Sequence, residues 1–112
     1  MTTITQLQLV APQQLTNADA SLYTVPTSSA AKVGRAVFTN TSASSVTITA
    51  GITPGVALTA STTMIITQTI TAYQTYLAPE LTGAVIPAGS QLRAYASAAS
   101  AVTVTVSGQL IQ

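Results

Sequence analysis

The feature that most constrains this chain is a recurring alternation of branched apolar and hydroxyl side chains. Thr103 to Ser107 reads Thr-Val-Thr-Val-Ser, which sets Val102, Val104 and Val106 on one face. Val46 to Thr49 repeats the pattern as Val-Thr-Ile-Thr. Side chains alternate between faces only in an extended strand, so this period predicts strands with one buried face. Threonine suits the wet face, being β-branched and polar. Val33 to Asn40 is expected to place Val33, Arg35, Val37 and Thr39 on one face, with Ala36 and Phe38 on the other. Thr63 to Ile70 supplies a further run through Met64, Ile65, Ile66 and Ile70. No stretch has a convincing helical period. Ala94 to Ala101 is rich in Ala, but it lies between two alternating runs and contains Ser97 and Ser100. It reads as a strand end and a turn.

Turn signals separate these runs. Pro12, Pro26, Pro54, Pro79 and Pro87 are expected in loops or at strand ends, because proline cannot donate to a ladder. Asn40 to Ser44 reads as a hairpin connection, Ile52 to Gly55 and Pro87 to Ser90 as turns, and Gly83 and Gly108 as bends or bulges. The resulting strands are about 3–10, 20–25, 33–40, 45–52, 62–70, 73–78, 91–97 and 101–111. Eight short strands without helices predict an all-β antiparallel sandwich of jelly-roll type. One domain, 1–112, is expected at this length, with 1–11 forming either an N-terminal arm or the first edge strand. Ser42 to Gly51 weakly echoes Ala98 to Gly108. Low complexity and duplication both account for such an echo.

Composition then narrows the function. Lys32, Arg35, Arg93, Asp19 and Glu80 are the only charged side chains, 4% of 112 residues, against about 25% in ordinary soluble domains. The 21 Thr and 11 Ser replace charge with hydroxyl groups. A net charge of +1 leaves no footprint for nucleic acid, which needs many cations set against phosphates. With no Cys there is no disulfide scaffold, thiolate metal site or Cys nucleophile. No apolar run reaches the ~18 residues of a spanning helix, and Met1 to Val10 has no cation ahead of its apolar residues, unlike a secretory signal. A transmembrane barrel is disfavoured by five aromatic residues, too few for its girdles. No membrane partner is therefore expected.

The residues for catalysis are equally sparse. Asp19 and Glu80 are the only side-chain carboxylates and could act as a pair only if the fold joined them. Each reads more simply as loop chemistry, Asp19 in Asn17-Ala18-Asp19-Ala20 and Glu80 after Pro79. The hydroxyl groups lack a histidine base, and no phosphate-binding loop or nucleophile elbow is present. Asn40-Thr41-Ser42 fits a glycosylation sequon but reads as turn chemistry. The chain is read as a non-enzyme with no cofactor and no metal.

A neutral, β-branched surface invites association, since mixed charge and guarded sheet edges are what keep β proteins apart. The expected partner is the chain itself, in a homo-oligomer or a larger shell. Tyr73 and Tyr76 are the first candidates for an interface anchor, because tyrosine joins a flat apolar body to a polar tip. Ile4, Leu7 and Leu9 on the first segment join them, with Arg35 and Arg93 as contacts for a partner.

Four phrases in series carry a family likeness. They are Leu15-Thr16 to Leu22-Tyr23-Thr24-Val25-Pro26, Arg35-Ala36-Val37-Phe38-Thr39-Asn40-Thr41-Ser42, Pro79-Glu80-Leu81, and Ile86-Pro87-Ala88-Gly89-Ser90-Gln91-Leu92. Over residues 15–108 the chain resembles small β-rich structural proteins of tailed bacteriophages, found among head decoration (cement) proteins and minor tail or neck proteins. The phrases are turns and strands, without catalytic signatures, and related phrases often carry more charge. The resemblance implies a virion component, made in the host cytoplasm, with the major capsid protein or other virion proteins as partners and capsid decoration as the favoured role, carried out by a homo-oligomer with three copies favoured. A neck, tail or fibre-base protein is the first alternative. A carbohydrate-binding module using exposed Tyr is the second. A pilin-like subunit lacks support, since a signal and a Cys pair are missing.

Overall fold

Alternating strands need a second apolar surface to cover their inner faces, and this chain supplies it by folding back on itself. The computed structural model describes residues 3–112, with Ile66 described by its backbone alone. Met1 and Thr2, part of the segment expected as an arm or edge strand, lie outside the described residues. The strands are β1 (Ile4–Gln14), β2 (Ala20–Thr24), β3 (Ala30–Asn40), β4 (Val46–Thr53), β5 (Thr63–Ile70), β6 (Thr75–Leu77), β7 (Val85–Ile86), β8 (Gln91–Ala96) and β9 (Val102–Ile111). One sheet has the order β1-β9-β3-β6, with β7 also on β3, and the other has the order β2-β8-β4-β5. We call them sheet A and sheet B. Every pairing is antiparallel.

The pairings β4·β5, β3·β6, β2·β8 and β1·β9 are nested, like the rungs of one long hairpin. Rolling that hairpin adds β3·β9 and β4·β8 and divides it between two sheets. This is the jelly roll, as expected from the sequence. The small β7 is the one strand that had no alternating run to announce it.

The core lies between the inner faces. Sheet A contributes Val102, Val104, Val106, Ala36 and Phe38, and sheet B contributes Ile48, Ala50, Leu92, Ala94 and Ala96. Phe38 is the largest of the fully buried side chains. The valines of β9 alternate with half-buried Thr103 and Thr105, following the sequence pattern.

Four local expectations need correction. Asn40 to Ser44 is not a hairpin, since β3 lies in sheet A and β4 in sheet B. The segment carries the chain from one sheet to the other. Pro12 lies inside β1, at a register shift between Val10 and Gln13 on an edge strand, where a missing N–H is tolerated. Val33 shares the buried face with Ala36 and Phe38, because a bulge between Val33 and Arg35 inverts the alternation. Tyr73 is outside β6, in the turn before it, with φ of 59°.

Two interactions hold the geometry. The first is Asn40, whose side chain is fully buried. Its Nδ2 donates to the carbonyls of Ser44 at 2.7 Å and Ile70 at 2.9 Å. Its Oδ1 accepts from the backbone N–H of Ser42 at 2.9 Å and the Ser42 hydroxyl at 2.7 Å. One amide thus ties the end of β3 to the segment leading to β4 and to the end of β5. It is not available as a glycosylation acceptor. The second is Gly108, where the Lys32 carbonyl oxygen occupies the space a Cβ would need. Gly51 stands in the same relation to the Thr62 carbonyl.

Two stability predictions follow from these contacts. Gly108→Ala and Gly51→Ala each force backbone to move and are expected to cost about 2 kcal/mol or more in urea unfolding. Asn40→Asp is nearly isosteric but turns two donors into an anion facing carbonyls. Its expected cost is about 3 kcal/mol or more, seen as a lowered midpoint in the same experiment.

Candidate interaction surface

Because directly opposed residues in an antiparallel sheet share a face, the register of sheet A defines its outer surface. Gln6, Gln109, Lys32 and Val85 form one row across β1, β9, β3 and β7. Gln8, Ser107 and Arg35 form the next. Both neighbours of β9 carry an extra residue beside Ser107, Gly34 on β3 between these two rows and Leu9 on β1 just beyond the second. Paired bulges bend the sheet here. The bend leaves a depression of about 560 Å³ lined by Gln6, Leu7, Gln8, Lys32, Gly34, Ser107, Gly108 and Gln109.

The surface around it is largely uncharged. Leu77 and Val85 are exposed, as is Ile4 at 59%. Lys32 and Arg35 are both exposed on this face, whereas the third cation, Arg93, belongs to sheet B. Arg93 Nε donates to Asp19 Oδ1 at 3.0 Å, the only ion pair among the described residues. The other Asp19 oxygen accepts from the Leu58 backbone N–H at 2.8 Å. This carboxylate pins the segment between β4 and β5 to sheet B. It borders a second depression, of about 480 Å³, that also includes Tyr95, Thr49 and Thr63.

Glu80 has a separate partner. The Tyr76 hydroxyl contacts both its carboxylate oxygens, at 2.6 and 2.7 Å. Burial, the hydrogen bond to Glu80 and the charge of Glu80 together raise the Tyr76 pKa from 10.0 to about 12. Asp19 and Glu80 are thus each tied to a different partner. Among the described residues there is no group of three or more His, Cys, Asp or Glu that could hold a metal ion. Among the described residues no helix is long and apolar enough to cross a membrane.

The residues singled out from sequence are dispersed. Ile4 is exposed on the outer face of β1, Leu7 is half-buried, and Leu9 is buried at the bulge. Arg35 is exposed two strands away on β3. Tyr73 is 68% exposed, while Tyr76 packs partly against the core. The first three lie at the β1 edge of sheet A, and the tyrosines lie on or beside β6 at the other edge. The depression joins instead Lys32, marked in the sequence only as one of five charged side chains, with Gln6, Gln8 and Gln109, which no sequence motif singled out. Glutamines alternating on an edge strand were the available signal.

No known protein family matches the chain, and no curated protein matches it in sequence. Solved structures do match. One is the structure of the infectious bursal disease virus Gx strain, with 19% identity and a TM-score of 0.56, covering 99% of this chain and 32% of that one. Another is the infectious bursal disease virus VP2 subviral particle, with 16% identity and a TM-score of 0.51, covering 98% and 32%. The likeness is one of fold. This chain spans about a third of the length of those viral chains. The neighbours come from a virus other than a tailed bacteriophage, so what they share with this chain is the all-β jelly roll.

The Tyr76–Glu80 contact makes a pH prediction. A phenol whose folded pKa is raised keeps its proton when the unfolded chain has lost it. Its contribution is complete below about pH 10 and is lost as pH rises towards about 12. Urea unfolding across that window should show stability falling with pH, and Tyr76→Phe should flatten this fall.

Proposed function

We propose that the chain is a virion structural protein, and within that class a capsid decoration (cement) protein that self-associates on the outer shell and braces contacts between capsid subunits. The observation that carries the reading is the jelly roll, matched over nearly the whole chain to chains of a virus and its subviral particle. The phage-like turn and strand phrases support it independently, and so does the nearly neutral outer face of sheet A. The mechanism is buried area multiplied by repetition. Each contact is weak, but an oligomer touching several capsid subunits raises the effective concentration of every other contact. The major capsid protein is the expected partner.

A neck, tail or fibre-base role remains the alternative within the same class. A sugar-binding role has less support, since the Tyr76 hydroxyl is engaged by Glu80 and its ring packs partly against the core, which leaves Tyr73 as the exposed ring of the pair.

Copy number separates these readings. Quantitative mass spectrometry of purified particles should find the chain at on the order of hundreds of copies for a repeating shell contact. About a dozen copies would point to the neck or tail, and none would sink the virion reading. Charge gives a second expected outcome. With five charged side chains and no His, association should persist in about 1 M NaCl and between about pH 6 and 8. Light scattering across those conditions checks this.

A further inference from the structure

A sheet edge is a row of unpaired backbone groups, and stable β proteins protect it with charge, proline, bulges or brevity. Most edges of this sandwich are protected. The β6 and β7 edge is three and two residues long, bounded by Pro79 and Pro87. The β2 edge is bulged between Ser21 and Tyr23 and ends before Pro26. The β5 edge has two register shifts and a left-handed Thr67 with φ of 44°. The second half of β1 carries Pro12 and two register shifts. Among the described residues the exception is the first half of β1. Ile4 to Gln8 pairs with Ile111 to Ser107 without interruption, and it has neither charge nor proline.

The hydrogen bonds fix which groups this edge offers. Thr3 and Gln112 exchange both backbone bonds, at 2.7 and 2.8 Å. In an antiparallel ladder such pairs alternate with pairs that exchange none. Thr5 and Leu7 therefore bond to β9, while Ile4, Gln6 and Gln8 turn their N–H and C=O groups outward.

We propose that this edge pairs with the same edge of a second copy, antiparallel and centred on Gln6. Gln6 meets Gln6 of the second copy in a doubly bonded pair, and Ile4 meets Gln8 on either side. That makes six backbone hydrogen bonds in a register that the parity of the ladder permits. Two sheets A become one continuous sheet across a twofold axis. A twofold axis sets a residue against its own copy, so a charge at Gln6 would repel itself. The edge carries none. The nearest cation in the same row, Lys32, lies two strands inside each copy. Two lysines so placed are five strand spacings apart, about 24 Å, well beyond the screening length in physiological salt. The pairing gives an even number of copies, where the decoration role favoured three. It stands on the edge alone and is independent of a place in a virion.

Sedimentation equilibrium of the full chain at about 10–200 μM tests it. The expected result is a mass of two chains. Gln6→Lys sets two ammonium groups face to face across the axis and should weaken the dimer by about tenfold or more. Gln109→Lys adds the same charge on the same face one strand inside and should leave the dimer intact. Circular dichroism melts establish that both variants keep the fold. A mass of one or three chains for the wild type overturns the proposal, as does a folded Gln6→Lys variant that dimerises like the wild type. Neither outcome bears on copy number in particles, so the virion reading stands or falls separately.

Discussion

The rest of the structure depends on β9 being hydrogen-bonded along both edges. β1 lies on one side and β3 on the other, and each follows β9 almost from end to end. A strand paired on both edges cannot slip without breaking two ladders. A slip of one residue would also turn Val102, Val104 and Val106 towards water and their threonine neighbours towards the core. The two bulges beside Ser107 and Gly108 follow from this. The flanking strands lose register on either side of Ser107, which lets the sheet bend there, and the Lys32 carbonyl approaches β9 so closely that only glycine fits. The depression on the outer face is a by-product of that bend.

Sheet A and sheet B are joined less by charge than by one amide. Asn40 closes β3, orders the passage to β4 and holds the end of β5, with its oxygen and nitrogen both engaged. A buried amide is costly unless every group finds a partner, and here the partners are backbone groups of three segments. With five charged residues in the chain, neutral hydrogen bonds of this kind carry most of the polar specificity. The Arg93–Asp19 pair adds a local clamp at 3.0 Å.

Much of the fold was legible in the sequence, because one-faced burial writes itself as alternation. The valines of β9 are the clearest case. Strand limits and the sandwich class came from the same signal. What escaped it were features in which alternation breaks or long-range pairing decides. Val33 changed faces because the bulge at Gly34 lies in a partner's register and not in β3's own pattern. Asn40 to Ser44 had good turn chemistry, but turn chemistry does not say whether the next strand joins the same sheet. The echo between the segments ending at Gly51 and Gly108 has a physical content that low complexity hid. Both belong to interior strands, β4 and β9, and both glycines meet a neighbouring carbonyl. The candidate surface was less legible than the fold. Tyr73 and Tyr76 were chosen by residue type, and the sheet's register gathers Lys32 with glutamines that composition made inconspicuous.

The nested pairing also orders events in time. Of its four rungs only β4·β5 is close in sequence, and the outermost, β1·β9, joins residues about a hundred positions apart. A ribosome releasing this chain exposes β1, β2 and β3 long before their partners exist. Loop-closure entropy delays such distant pairings, and uncharged strands are most prone to pair wrongly while they wait. The last strand to emerge is the one that fills the space between β1 and β3. Until β9 arrives sheet A cannot close, so the chain's most vulnerable interval is set by the position of its central strand in the order of synthesis.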